Sequence, residues 1–457
     1  MSADPKAPDA MHFRSLHLEN VRAFGSAQSL NSVDENDAIS RWNLILGING
    51  VGKTTLMWAL AVMRPVRAAD ESVVGKSDDA ETSQLVEAAF SALENEDIIR
   101  FIRRGGTRTM KMNAELVGTE TGKALAVGAV ITGNTKDLTT VDFPKYPYRL
   151  RSGGPFVIGY GAGRHIGHHN LAEVDERSAT KSLFADAIDL YDAEDLVEKL
   201  DYAAEKDATG EDKRRLEMLK AAVAALLPDN LTAADIEVRG PRDAGRDPDR
   251  SGVHVRTPSG VMPLGDLSLG YQAMFAWTVD LAWRLFKEFP KSVNPLSESA
   301  IVLIDEVDLH LHPRWQRDIR RRLLEQFPGV QFIATTHNPI TAQETLSEGG
   351  NVAVVRWTGD EVEILNRPVP EGEWRFDQLL TSELFDFDSD RSQQAEVKLR
   401  ERLELIRNPN RSAEQEARLR ELDEFVESLP TARSPSAQSF EDLMMNLAKD
   451  YPSGVPR

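Results

Sequence analysis

Short apolar runs, separated by polar and glycine-rich segments, mark the elements that this chain is expected to form. Residues 12–21 alternate between apolar and polar positions, which predicts a half-buried strand. Residues 42–46 form an apolar run that enters a glycine-rich loop, and residues 54–63 after it have the pattern of a helix. Two further, mostly apolar runs cover 301–304 and 331–336. Such runs are typical of parallel strands that are covered on both faces.

The segments between these runs predict smaller strands and a helical hairpin. Residues 84–132 favour short antiparallel strands, of which 98–102 and 124–131 are the clearest. Residues 183–227 carry leucines three and four positions apart and are predicted to be largely helical. The sequence Ala208-Thr209-Gly210 interrupts that pattern, so we expect two helices joined by a turn.

These patterns divide the chain into four predicted parts. An N-terminal lobe covers 1–182, a helical insert covers 183–258, and a C-terminal lobe covers 259–370. A helical C-terminal region covers 371–457, in which Asn408-Pro409-Asn410 separates two charged helices.

Composition limits the class of protein. The chain has 457 residues, of which 41% are hydrophobic, so it can bury a sizeable core. It contains no cysteine, which excludes disulfides and thiolate metal sites and suits a cytoplasmic protein. No apolar run approaches the roughly 20 residues that span a bilayer, so no membrane partner is expected. The formal net charge of -19 disfavours wide non-specific DNA binding, although a local basic face remains compatible with it.

The glycine-rich loop after the run 42–46 fits the phosphate-binding pattern G-x-x-x-x-G-K-[ST]. Gly47, Gly50 and Gly52 allow the backbone N–H groups to curl around anionic oxygens, and the following helix start favours negative charge. Lys53 is expected to reach the β- and γ-phosphates of a nucleotide, and Thr54 to offer its hydroxyl to Mg²⁺.

Polar residues end the two later apolar runs. Asp305 and Glu306 follow residues 301–304, where buried carboxylates need a cation or water. We expect Asp305 to hold the water shell of Mg²⁺ and Glu306 to orient the attacking water in phosphoryl transfer. His337 ends the next strand and could hydrogen-bond a γ-phosphate.

A fourth motif, residues 267–272, precedes a predicted helix over 269–285. Ser268 is placed to cap that helix with its hydroxyl. The hydroxyl, the Gly270 backbone and the helix start would then form a second anion site. Alone, this stretch would be an ordinary helix start; with the other three motifs it resembles the LSxGxQ signature of ABC-type ATPases.

The ordered motifs are similar to those of the ABC ATPase superfamily, on the branch of SMC, Rad50, RecF and the overcoming-lysogenisation-defect proteins. Residues 16–24 resemble the first strand of that branch, and residues 47–55 its G-x-N-G-x-G-K-T-T form. Residues 304–313 resemble the DE-x-x-LHLHP variant of predicted bacterial AAA-family ATPases. Residues 160–164 and 375–380 also resemble this group, whose members occur in Septu-type and retron-associated phage-defence operons.

The resemblance implies an α/β fold, a P-loop ABC-type ATPase head. It would combine a mixed sheet, an antiparallel β subdomain and a helical subdomain with a short helical insert and a C-terminal helical region. Two heads are expected to close face to face around two ATP molecules, so that Ser268 and Gly270 of one head meet the nucleotide of the other. Glu306 would be the catalytic base and His337 the switch histidine, with Lys53 as the third catalytic group. The nucleotide-binding set would be Gly47, Asn49, Gly50, Gly52, Lys53, Thr54, Thr55, Ser268, Gly270 and Gln272, and the Mg²⁺ set Thr54 and Asp305.

The resemblance also has departures and rivals. His312 stands where the loop after the carboxylates usually ends in Asp, which puts that loop's contacts across the dimer in doubt. His310 and His312 fit a packed loop better than a metal site, and Gln84 is a candidate for the Gln-loop glutamine. The main hypothesis is the sensor or regulatory subunit of an antiviral defence complex whose separate effector is a nuclease, such as one of HNH type. The alternative is a RecF-like DNA-repair ATPase that binds DNA directly. The arginines of residues 314–322 predict a basic helix, which would either contact DNA or an acidic partner or form a solvated, ion-paired face.

Overall fold

The structure is a computed structural model, and it describes residues 10–68, 84–105, 107–134, 136–148, 154–165, 179–184, 188–240, 251–367, 392–408 and 411–428. The chain separates into two compact units, residues 1–374 and 375–457. The strands of the described residues lie in the first unit. In chain order they are β1 Met11–Glu19, β2 Gln28–Asn31, β3 Trp42–Leu46, β4 Pro65–Arg67, β5 Gln84–Ala88, β6 Arg108–Gly118, β7 Ala124–Gly133, β8 Leu138–Asp142, β9 Tyr146–Tyr148, β10 Val157–Tyr160, β11 Arg164–His165, β12 Ile188–Asp189, β13 Ile236–Arg239, β14 Gly252–Thr257, β15 Gly260–Pro263, β16 Ala300–Ile304, β17 Val330–Thr336, β18 Asn351–Thr358 and β19 Glu361–Asn366.

A six-stranded mixed sheet organises the first unit, in the order β10-β16-β17-β3-β18-β19. Its first five strands run parallel, and β19 pairs antiparallel with β18. Every residue of β3, β16 and β17 is buried, which agrees with the uninterrupted apolar runs in the sequence. The carboxyl ends of these three neighbouring strands therefore meet at one edge of the sheet.

An antiparallel sheet of five strands, β2-β1-β6-β7-β8, accompanies the mixed sheet. Its apolar side chains, such as Phe13 and Leu116, belong to one hydrophobic cluster that also includes Leu56 and Leu303. Three smaller sheets are β4-β5-β9, β11-β12 and β13-β14-β15. The predicted mixed sheet and antiparallel subdomain are thus both present.

The helices include the hairpin that the apolar periodicity predicted. The predicted hairpin forms two helices separated at Asp207–Gly210, and Gly210 adopts a left-handed φ of 77° there. No helix among the described residues has the length and apolarity needed to cross a bilayer. In the first unit the helices are α1 Lys53–Val62, α2 Asn95–Ile99, α3 Ala193–Lys206, α4 Glu211–Leu226, α5 Leu269–Glu288, α6 Pro313–Gln326 and α7 Pro339–Ser347.

The second unit contains helices α8, Gln393–Arg407, and α9, Ala413–Ser428. Arg402 pairs with Asp423 at 2.6 Å and Arg418 pairs with Glu401 at 2.8 Å, so the two helices are joined by ion pairs. They flank Asn408-Pro409-Asn410, as the sequence predicted. Residues 375–380, which contributed to the resemblance, lie outside the described residues, and the fourfold division of the chain stays a prediction.

One predicted strand is wrong. Residues 98–102 were expected to be extended, but Asn95–Ile99 is a short helix and Ile102 forms an isolated bridge with Val21. Acidic Glu96 and Asp97 in the first turn favour the helix there. The apolar residues Ile98, Phe101 and Ile102 are still buried, so the run signalled burial but not its conformation.

Candidate active site

The glycine-rich loop lies between β3 and α1, the strand–loop–helix context that the phosphate-binding pattern requires. Gly50 and Gly52 have φ of +84° and +100°, and a Cβ on Gly52 would lie 3.2 Å from the Phe24 ring. Lys53 Nζ donates to the carbonyl oxygens of Gly47 at 2.6 Å and Ile48 at 3.0 Å. The lysine is thus folded back over its own loop.

Asp305 lies at the end of β16 and contacts the loop directly. The Thr54 hydroxyl donates to Asp305 Oδ2 at 2.7 Å, although 251 positions separate the two residues. The side chain of Asp305 is buried, and its second oxygen accepts a hydrogen bond from the Thr335 hydroxyl. A hydroxyl and one carboxylate at this spacing fit Mg²⁺, which is usually held by one or two carboxylates together with phosphate oxygens.

Glu306 follows in an unusual backbone conformation. Its φ is 52°, in the left-handed region that non-glycine residues seldom adopt. The Glu306 N–H donates to Thr335 Oγ1 at 2.8 Å, and Glu306 Oε1 lies 3.9 Å from His337 Nδ1. The side chain of Glu306 is 24% exposed and that of His337 is 55% exposed. Both predicted polar groups therefore face the same accessible edge.

A cavity of about 310 Å³ joins the loop to the carboxylates. Burial lowers the pKa of Lys53, while the charges of Asp305, Glu306 and Asp308 act in the opposite direction. The sequence-predicted residues Asn49, Gly50, Gly52, Lys53, Thr54, Thr55, Asp305 and Glu306 all line this cavity, together with Arg22 and Trp58.

The signature residues are placed differently. Ser268 occupies the position before α5 and is exposed, but its side chain makes no capping hydrogen bond, so that expectation is wrong. Gln272 instead uses its side-chain amide to satisfy the carbonyls of Gly265 at 2.9 Å and Leu267 at 2.7 Å. A Cβ on Gly270 would lie 2.8 Å from the His310 carbonyl oxygen, so glycine is needed for that packing. None of Ser268, Gly270 and Gln272 lines the cavity described above.

The histidines after the carboxylates serve the local backbone. His312 Nδ1 accepts the Arg314 N–H at 3.3 Å and so caps α6. His310 has a left-handed φ of 66° and its carbonyl packs against Gly270. Within the part of the chain that the structure describes, no group of three or more His, Cys, Asp or Glu side chains is arranged to hold a metal ion.

Sequence reasoning assigned no role to three polar residues at this edge. Thr335 links Asp305 to Glu306, and Thr336 donates to both oxygens of Asp308 at 2.8 and 2.9 Å. Asp308 also accepts from Thr341 at 3.1 Å. The sequence did contain a signal for these contacts, because two adjacent threonines before His337 interrupt an apolar strand. Their partners could not be predicted without knowing that β16 and β17 are neighbours.

Comparisons with known proteins show which families and structures the chain is similar to. The family model "AAA domain, putative AbiEii toxin, Type IV TA system" matches residues 159–342. The chain is 53% identical over 73 residues to "Retron Ec83 probable ATPase" of Escherichia coli, which is 16% of this chain and 14% of that protein. It is 38% identical over 129 residues to "Septu protein PtuA" of Bacillus mycoides (strain KBAB4), covering 27% and 16% of the two chains.

Among solved structures, the SMC head domain from Thermotoga maritima aligns with 78% of this chain and all of its own, at 17% identity and a TM-score of 0.41. The matched segments span only about one seventh of the length of the two curated relatives. The chain is therefore similar to the AAA-domain family model over residues 159–342 and, over shorter segments, to the retron probable ATPase and the Septu protein.

Proposed function

We propose that the chain hydrolyses ATP to ADP and phosphate at the cavity between the glycine-rich loop and the ends of β16 and β17. The contact that carries this proposal is the 2.7 Å hydrogen bond from Thr54 to Asp305, because it joins two distant motifs at the spacing of a Mg²⁺ site. Mg²⁺ would neutralise charge on the phosphate oxygens.

The roles of the other residues follow from their positions. Lys53 is buried and now donates to two backbone carbonyls, which a triphosphate could replace as acceptors. Glu306 lies beside Asp305 with its side chain partly accessible, so it is placed to accept a proton from water. His337 Nδ1 lies 3.9 Å from Glu306 Oε1, and its imidazole would hydrogen-bond the γ-phosphate and so sense its loss.

A second copy of the chain would complete the site. Ser268 and Leu269 are exposed at the start of α5, and Leu269 retains 55% of its accessible surface. A serine hydroxyl and a free helix start are suited to an anion. Because these groups do not line the cavity of their own chain, we propose that they cover the nucleotide of a sister chain.

The biological role that we propose is regulation within a defence complex. The relatives whose names contain retron and Septu support this setting. In this proposal a separate effector, an HNH-type nuclease, would bind the closed and open dimers differently. The basic helix α6 gives little support to direct DNA binding. Arg317, Arg320 and Arg321 pair with Glu344, Glu348 and Asp318, and Arg322 donates to two backbone carbonyls.

The substitution Glu306→Gln tests the proposal. It keeps the size of the side chain but removes the base, so ATP turnover should fall about 100-fold or more. ATP should then hold the variant as a dimer, measured by light scattering after size-exclusion chromatography. Glu325→Gln on exposed α6 is the matched control and should behave as wild type. Unchanged turnover and assembly in Glu306→Gln would contradict the assignment of the base.

A further inference from the structure

Arg164 is the first residue of β11, directly after the turn that follows β10, and its side chain reaches the two carboxylate-bearing residues. Its Nη1 donates to the carbonyl oxygens of Asp305 at 2.7 Å and Gly161 at 3.0 Å. Its Nη2 donates to the carbonyl oxygen of Glu306 at 2.9 Å. All three acceptors belong to the backbone, so these bonds fix the path of the chain and do not neutralise the carboxylates.

The position of these bonds relative to Glu306 is informative. The Asp305 carbonyl belongs to the peptide plane before the Glu306 Cα, and the Glu306 carbonyl belongs to the plane after it. One planar guanidinium that holds both planes determines the φ and ψ of Glu306. Glu306 needs such restraint. Its φ of 52° is a strained backbone conformation for a non-glycine residue, which persists only if the surrounding structure enforces it.

The backbone that leads into Arg164 is itself held in place by its packing. A Cβ on Gly161 would lie 2.2 Å from the Ser182 carbonyl oxygen, so glycine permits the turn to pack there. The preceding Tyr160 donates its hydroxyl to the fully buried Asp280 at 2.7 Å, and Asp280 belongs to the signature helix α5. The backbone that positions the Arg164 guanidinium is therefore fixed, and the guanidinium can hold the backbone of Asp305 and Glu306 in place.

Burial adds to the cost of placing a cation here. It lowers the pKa of Arg164, while the nearby Asp305 and Glu306 act in the opposite direction. An arginine remains charged under these conditions, and its fork offers several donors in one plane. A lysine would supply the charge without the fork.

We propose that Arg164 is a positioning residue for ATP hydrolysis, which clamps the peptide planes on both sides of Glu306 and thereby aims the Glu306 carboxylate at the attacking water. This inference rests on the proposed function. It requires that Arg164 affect the chemical step while the grip of Lys53 and the glycine-rich loop on the nucleotide is left intact.

Arg322 provides a matched control. It too donates to two backbone carbonyls, Ala225 at 2.8 Å and Leu227 at 2.7 Å, but these lie on and after α4, outside the cavity. We compare Arg164→Lys with Arg322→Lys in the full chain. In Arg164→Lys, kcat should fall about 10- to 100-fold, because a displacement of the order of 1 Å can cost that much, while the Kd for a fluorescent ATP analogue stays within about threefold. Arg322→Lys should keep both values within about twofold.

Hydrogen exchange gives a readout that needs no turnover. Amide exchange at Glu306 and Val307 should become about tenfold faster in Arg164→Lys and remain unchanged in Arg322→Lys. A wild-type kcat in Arg164→Lys, a parallel loss of nucleotide affinity, or unchanged exchange at these amides would each overturn the proposal. If the wild-type chain does not hydrolyse ATP, the proposed function fails, whereas the exchange comparison still decides whether Arg164 holds the Glu306 backbone.

Discussion

Replacing Thr335 by valine isolates the hydroxyl that joins the two acidic residues. Thr335 is fully buried; its hydroxyl donates to Asp305 Oδ1 and accepts the Glu306 N–H. Valine has nearly the same shape, so little cavity forms, but both bonds are lost. A hydrogen bond to a charged group contributes about 1.5–3 kcal/mol and one between neutral groups about 1 kcal/mol. We therefore expect Thr335→Val to lower the free energy of unfolding by about 2.5–4 kcal/mol.

The control is Thr278→Val in α5. Thr278 is equally buried, but its hydroxyl donates only to the Met274 carbonyl of its own helix at 2.7 Å. Its loss should cost about 0.5–1.5 kcal/mol. Urea denaturation followed by circular dichroism gives the two midpoints, which can be compared where the slopes agree. If Thr335→Val is no less stable than Thr278→Val, the bridging hydroxyl does not stabilise the carboxylate edge.

Two further predictions concern charge. Lys53→Ala should reduce binding of a fluorescent ATP analogue at least tenfold. Lys111→Ala, which removes an exposed lysine paired with Glu19, should leave that binding unchanged. Undiminished binding and turnover in Lys53→Ala would refute the phosphate-loop assignment. Burial lowers the pKa of His12 from 6.5 to about 4; the hydrogen bond of its Nε2 to the Gly329 carbonyl acts in the opposite direction, and repulsion by Arg41 lowers the pKa further. As the pH falls, His12 therefore takes up a proton in the unfolded chain before it does so in the folded chain. The free energy of unfolding should be unaffected above pH 6.5 and should decline from pH 6.5 towards pH 4 by at most ~1.4 kcal/mol per pH unit. Urea midpoints at pH 7 and pH 5 should show a smaller decline in His12→Asn, and equal declines would exclude His12 as the cause.

Much of the core of the candidate site could be predicted because each motif is local and carries its own chemistry. Residues 47–54 contain the glycines, lysine and threonine of a phosphate loop within eight positions, and the flanking pattern placed them between a strand and a helix. The pattern of residues 301–306 likewise predicted a buried strand that ends in two acidic residues. These signals need no knowledge of distant contacts.

The remaining contacts depend on which strands are neighbours. Arg164 directly follows a glycine-rich turn whose pattern does not indicate what the arginine would contact, and its acceptors are carbonyls, which every residue possesses. Ser268 had the residue type of a helix cap, yet its hydroxyl makes no such bond, because type and position do not determine a side-chain rotamer. Residues 98–102 were misread because a short apolar run is compatible with either helix or strand.

The sheet order explains why separated motifs form one site and why one motif does not join them. The strands β16, β17 and β3 are adjacent and parallel, so the residues that follow them, Asp305, His337 and Gly47, emerge at the same edge. Ser268 precedes a helix and not the end of one of these strands, so the sheet does not bring it to the cavity. This topology supports the proposal that the fourth motif acts on the nucleotide of a second chain.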